Sequence, residues 1–173
     1  MHVLVATEGQ LDPEIVAKFV SPLTGDGGKA TVLTVIEVPR AMLQDLRAHF
    51  NDQQPPELLR TDIETVTTIA RNEPPRSWPG DDAIINQYLR SKQEQICGPL
   101  VDALHTAGID TDAMVVEGKA ANGILDTAKE LDCDVIIIGS HGAGLFEGLL
   151  GSTGTKVTRL AKRPVLLLRT NTG

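Results

Sequence analysis

The run Val135-Ile-Ile-Ile138 passes without a polar break into Gly139-Ser-His-Gly142, and few folds accommodate such a junction. Four consecutive β-branched apolar residues show no alternation, so both faces of this strand need cover. A parallel sheet held between helices meets that condition. Glycines directly after the strand let the chain turn sharply and bring backbone N–H groups close to a ligand without a Cβ in the way. Composition points the same way. Hydrophobic residues make up 41% of the 173, aromatic residues only 3%, so the core is built from Val, Ile, Leu and Ala.

The rest of the chain alternates strands with helices. His2–Thr7 is a short Val-rich strand. Asp12 before Pro13 is a helix start, an acceptor side chain followed by a residue suited to the first turn, and Ile15, Val16, Phe19 and Val20 recur at helical spacing. Ala30–Ile36 is the second strand. Asp82 opens a long amphipathic helix carrying Ile84, Ile85, Tyr88, Leu89, Ile96, Leu100, Val101 and Leu104. Gly98-Pro99 is expected to kink or break it, and Gly108 to end it. Strand Asp110–Glu117, helix Ala121–Leu131, strand Asp134–Ile138, helix Ser152–Ala161 and strand Pro164–Arg169 follow. This order predicts an α/β fold with a right-handed, doubly wound parallel sheet of about five strands, in one domain over residues 1–173. Between about 38 and 82 the rhythm fails. Pro39, Pro55, Pro56, Pro74, Pro75 and Pro79 punctuate an expected insertion, with short helices at Ala41–Phe50 and Glu57–Arg71 that are too apolar for pure disorder.

A net charge of −7 and a pI near 5.0 argue against nucleic acid and against anionic membrane surfaces as partners. No apolar run approaches the roughly 18 residues that span a bilayer. The start MHVLVATEGQ does not read as a signal peptide, so the expected location is cytoplasmic. Cys97 and Cys133 lie far apart, outside any C-x-x-C pair, and read as buried structural thiols. His141 has no Ser, Cys or carboxylate placed beside it, and Glu8 with Glu37 lacks a third ligand. Neither a catalytic group nor a resident metal site is expected.

Function therefore rests on the segment GSHGAGLFEGLLGST. Gly151-Ser152-Thr153 opens a helix, and a helix N-terminus offers unpaired N–H groups and a positive dipole end to phosphate. Hydroxyls at Ser152, Thr153 and Thr155 add donors, and Glu147 is the single carboxylate between Gly139 and Gly151. Taken alone, such glycines and hydroxyls also suit an ordinary β–α connection. No Walker A motif can be read through Lys156, and Gly142-x-Gly144 does not complete a dinucleotide fingerprint.

The opening VLVATEG, the second strand VLTVIEV, the turn VVEGKAANGIL and the run from Asp134 to Arg169 together resemble the universal stress protein family of the nucleotide-binding kind. The family's G-x-x-G…G-[ST] loop falls on Gly139, Gly142, Gly151 and Ser152. The resemblance implies strand order 3-2-1-4-5 in a three-layer α/β/α, adenine nucleotide alpha-hydrolase-like fold, with ATP or AMP between strands 1 and 4. It implies that Ala6 and Val35 line the adenine beside Thr7 and Glu8, that Gly139 and His141 lie along the ribose, and that Gly142, Gly151, Ser152 and Thr153 hold phosphate. Mg²⁺ is the candidate counter-ion. Two features depart from the pattern: Ala143–Leu150 is one residue shorter than usual, and Glu8 and Gln10 replace the usual Asp and Ser.

Val165, Leu166, Leu167 and Leu168 would form an apolar edge strand, which invites pairing. The resemblance implies a homodimer through it. The expected role is a stress-response or signalling dimer that binds an adenine nucleotide and is not an enzyme, weak ATP hydrolysis aside. The alternatives are a nucleotide-free interaction module and a cyclic-nucleotide binder.

Overall fold

The computed structural model describes residues 1–38, 81–140 and 151–169. Five parallel strands, β1 (His2–Ala6), β2 (Lys29–Ile36), β3 (Asp110–Glu117), β4 (Val135–Ser140) and β5 (Val165–Arg169), alternate with α1 (Pro13–Thr24), α2 (Asp81–Thr106), α3 (Ala120–Glu130) and α4 (Ser152–Leu160). Across the sheet the order is β3-β2-β1-β4-β5, as expected. The short helices expected within 39–80 lie outside the described residues.

Period-two alternation along each strand feeds two cores. Val3 and Val5 of β1 and Ile137 of β4 pack against Val16 and Val20 of α1 and Cys97, Leu100 and Leu104 of α2. Leu4, Ala6, Ile136 and Ile138 pack on the other face against Ala121, Ile124 and Ala128 of α3 and Val157 of α4. The unbroken apolar run in β4 thus has a physical origin: each face of the strand meets its own helical layer.

Asp12 caps α1, its carboxylate accepting from the N–H groups of Glu14 (2.9 Å) and Ile15 (3.1 Å). Phe19 departs from expectation. It sits at the margin of the Val16–Val20 stripe and is 44% exposed. The expected break in the long helix does not occur either, since α2 runs through Pro99 to Thr106. Proline disfavours helical geometry in the preceding residue by clashing with its N–H and its Cβ, and Gly98 removes the second of these clashes. Burial of Cys97, Leu100 and Leu104 then holds the helix across the lost donor.

The two sheet edges differ. The N–H of Gly118 donates to the Ile36 carbonyl at 3.0 Å, so alternate residues of β3 face β2 and the carbonyls of Thr111 and Ala113 face outward. Side chains of α2 cover them: His105 Nε2 donates to Thr111 (3.1 Å) and Gln93 Nε2 to Ala113 (2.8 Å). On β5, the Pro164 carbonyl accepts from Ile136 (2.9 Å), so the peptide groups of Val165 and Leu167 face away from β4. Among the described residues no hydrogen bond reaches those groups.

Both cysteines are free and fully buried. Burial pushes the Cys97 thiol up to about 12 and raises that of Cys133 as well, against the opposing pull of Arg163. Since the thiolate is the reactive form, neither residue is expected to react with an aromatic disulfide reagent at pH 8 until urea unfolds the chain. The folded state favours the neutral thiol. Its contribution is therefore complete below the unfolded thiol's pKa of about 8.5 and is lost as pH rises from there towards the folded value. Urea midpoints should fall between pH 8 and pH 10.

Candidate functional site

Strand order fixes where the sheet opens. The chain leaves β1 towards β2 on one side, and enters β4 on the other, so the connections diverge above the carboxyl ends of β1 and β4. Register makes the opening deep. β1 ends at Ala6, opposite Leu33 of β2 and Ile138 of β4. β2 continues to Ile36 along β3, and β4 continues to Ser140 along β5. Two walls therefore rise beyond the end of β1, enclosing a cleft of about 270 Å³. That is close to the lower end of small-molecule pockets, roughly 300–1,000 Å³.

Ala6, Thr7, Glu8, Val35, Gly139, Gly151, Ser152 and Thr153, all singled out from the sequence, line this one cleft. His141 and Gly142 lie outside the described residues. Thr7 has a shaping role. Its N–H donates to the Leu33 carbonyl (2.9 Å), and its hydroxyl accepts from the N–H of Gly9 (2.9 Å). Gly9, at φ 93°, completes a turn that a side chain would strain, and this turn carries Glu8 at the rim.

Sequence reasoning missed the floor and one wall. Leu33 and Ile138 form an apolar floor, and Ala120 and Ile124 bring the start of α3 to the rim. A signal for α3 was available in the turn VVEGKAANGIL: a helix that starts just after a parallel strand begins at the carboxyl edge of the sheet, where the crevice also lies.

Charge separates α3 and α4 from α1. α1 has a capping carboxylate and Glu14 in its first turn. Both α3 and α4 start at the cleft with no side-chain cap and no acidic residue in the first turn. Among the described residues no N-cap side chain takes up their positive dipole ends and first-turn N–H groups. Lys156 Nζ donates to Asn122 Oδ1 at 2.8 Å and ties the two helix starts together. Glu8 is the carboxylate among the described lining residues. Among the described residues no group of three or more His, Cys, Asp or Glu side chains gathers.

The model of the universal stress protein family matches residues 1–169. A curated relative, universal stress protein YxiE of Bacillus subtilis, is 40% identical over 63 residues, covering 36% of this chain and 43% of the relative. The chain thus spans less than half the length of that relative. Solved structures are alike over nearly the whole length. A universal stress protein of Archaeoglobus fulgidus in complex with dAMP has a TM-score of 0.56 at 18% identity, covering 96% of each chain. An Arabidopsis thaliana family protein with AMP bound has a TM-score of 0.52 at 17% identity, covering 99% of this chain and 93% of that one. A universal stress protein in complex with cAMP has a TM-score of 0.52 at 18% identity, covering 99% and 98%.

Proposed function

Because the chain belongs to the universal stress protein family, we propose that its cleft binds an adenine nucleotide, AMP or ATP, and that occupancy is read out by a partner as a stress-response signal. The observation that carries this reading is the convergence of two uncapped, acid-free helix starts on one apolar-floored cleft. Such a site suits a ligand with a flat apolar end and a phosphate end. The base lies against Ala6 and Val35, with strand-end peptide groups giving base selectivity. The phosphate lies on Gly151, Ser152 and Thr153, where fixed N–H groups and the dipole favour negative charge. The complexes of structural relatives with dAMP, AMP and cAMP support the same ligand class. The proposal is binding without appreciable turnover.

The unequal sheet edges support a homodimer through β5. α2 covers the outward carbonyls of β3, while Val165 and Leu167 keep theirs open for a second copy's strand. Proline at position 167 removes an outward N–H without touching the β4 pairing. Leu167→Pro is therefore expected to sediment as a monomer where the wild type sediments as a dimer.

The nucleotide reading is tested by melting the purified protein with ATP, AMP and cAMP in turn, and by extracting any co-purified nucleotide. At about 100 times Kd a ligand adds roughly 2.7 kcal/mol, a rise of about 5–10 °C for a chain of this size. A rise with cAMP alone would select the cyclic nucleotide, which the shortened Ala143–Leu150 segment favours. No rise and no extracted nucleotide would leave a dimeric interaction module.

A further inference from the structure

We propose that Gly123 is a positioning residue for the base end of the cleft: lacking a Cβ, it lets α3 lie directly on Val35 and so sets the width of the wall that meets the base. This rests on the nucleotide reading above and adds to it a residue that does not itself line the cleft.

Gly123 is buried in the first half of α3, where glycine is among the poorest helix formers, so its presence calls for a packing reason. The reason is Val35. A Cβ built on Gly123 would lie 2.8 Å from both Cγ1 and Cγ2 of Val35 and 3.4 Å from its Cβ. The added carbon would sit in the notch between the two methyls. Rotating Val35 by one staggered step exchanges only one methyl for a hydrogen, so one close contact remains in any rotamer. Relief therefore requires backbone movement of α3 or of β2.

Either movement reaches the ligand. Val35 lines the cleft, and so do Ala120 and Ile124, on either side of Gly123 in the helix. At Val35 the strand is paired with Val116 of β3 but has already passed the end of β1, whose last partner in β2 is Leu33. The end of β2 is thus supported on one side only, and the unsupported side is the cleft. A residue with a side chain at 123 either pushes Val35 into the space for the base or lifts Ala120 and Ile124 away from it.

The experiment is calorimetric titration of AMP and ATP into wild type, Gly123→Ala, Val35→Ala and the double variant, with melting curves of each. Gly123→Ala is expected to weaken both nucleotides about tenfold or more, and to lower the melting temperature although alanine is the better helix former. Removing the two methyls in the double variant is expected to restore affinity to within about threefold of Val35→Ala alone. A general loss of stability would not be rescued by deleting a second core side chain. The inference is overturned if Gly123→Ala binds as wild type does and melts higher, or if the double variant binds no better than Gly123→Ala. Should Gly123→Ala fail to fold, the double variant decides: folding and binding support the contact, and failure to fold overturns it. A wild type that binds neither nucleotide removes the functional reading itself, and this one with it, before any variant is compared.

Discussion

Gly151→Val is expected to lower the affinity for AMP and ATP by at least about a hundredfold, on the order of 3 kcal/mol, while leaving the protein folded. Gly151 is the N-cap of α4 and lines the cleft. Its φ of −57° is open to any residue, and an added Cβ meets nothing within 4 Å. The valine side chain therefore has room, and that room is the proposed phosphate seat. From the N-cap its methyls would stand over the N–H groups of Thr153 and Gly154, both of which line the cleft. Hydrogen bonds to a charged group are each worth about 1.5–3 kcal/mol, so shielding two of them accounts for the loss. Valine is a poorer N-cap than glycine, a cost of about 1 kcal/mol. Calorimetry with AMP should thus show binding lost while the urea midpoint moves little. Unchanged affinity would place the phosphate elsewhere.

Ile137→Ala is expected to destabilise the fold by about 3 kcal/mol, within the range of about 2–5 for burial of this kind. Ile137 is 0% exposed in the middle of β4, in register with Val5 of β1 and Leu166 of β5. Its side chain belongs to the layer formed with α1 and α2, and strands on both sides limit how far the site can collapse. The loss is a large part of the roughly 5–15 kcal/mol that holds a typical domain. Urea unfolding by circular dichroism measures it directly. A change below about 1 kcal/mol would mean that this face of β4 is not packed as described.

These two positions also mark what could be read from the sequence. The unalternating strand 135–138 requires helices on both faces, and the strand–helix rhythm requires parallel pairing, so the sheet and its two layers follow from local patterns. Strand order came from the resemblance, and the order in turn locates the crevice. Gly151, Ser152 and Thr153 were legible because a helix start has unpaired N–H groups whatever its surroundings. Leu33 and Ile138 were not, because an apolar residue on a cleft floor reads like any core residue until tertiary structure opens a space above it, whereas the start of α3 at Ala120 had a signal in the turn VVEGKAANGIL. Gly123 was hidden for a related reason. A glycine within a helical pattern shows only a local cost, and its compensation lies across the fold on Val35. Of the kink or break expected at Gly98-Pro99 the break does not occur, because burial of Cys97, Leu100 and Leu104 around the proline holds the helix across the lost donor.

The most direct measurement is a ¹H–¹⁵N correlation spectrum of the labelled protein titrated with AMP. The amides of Gly139, Gly151, Ser152 and Thr153 should shift progressively and saturate together, with that of Val35 following at the base wall. The amides of Glu14 and Ile15, held by the Asp12 carboxylate on the other helical layer, should stay in place. A titration in which the start of α4 does not respond, or in which the shifts gather away from the cleft, would contradict the assignment of this opening as a nucleotide site.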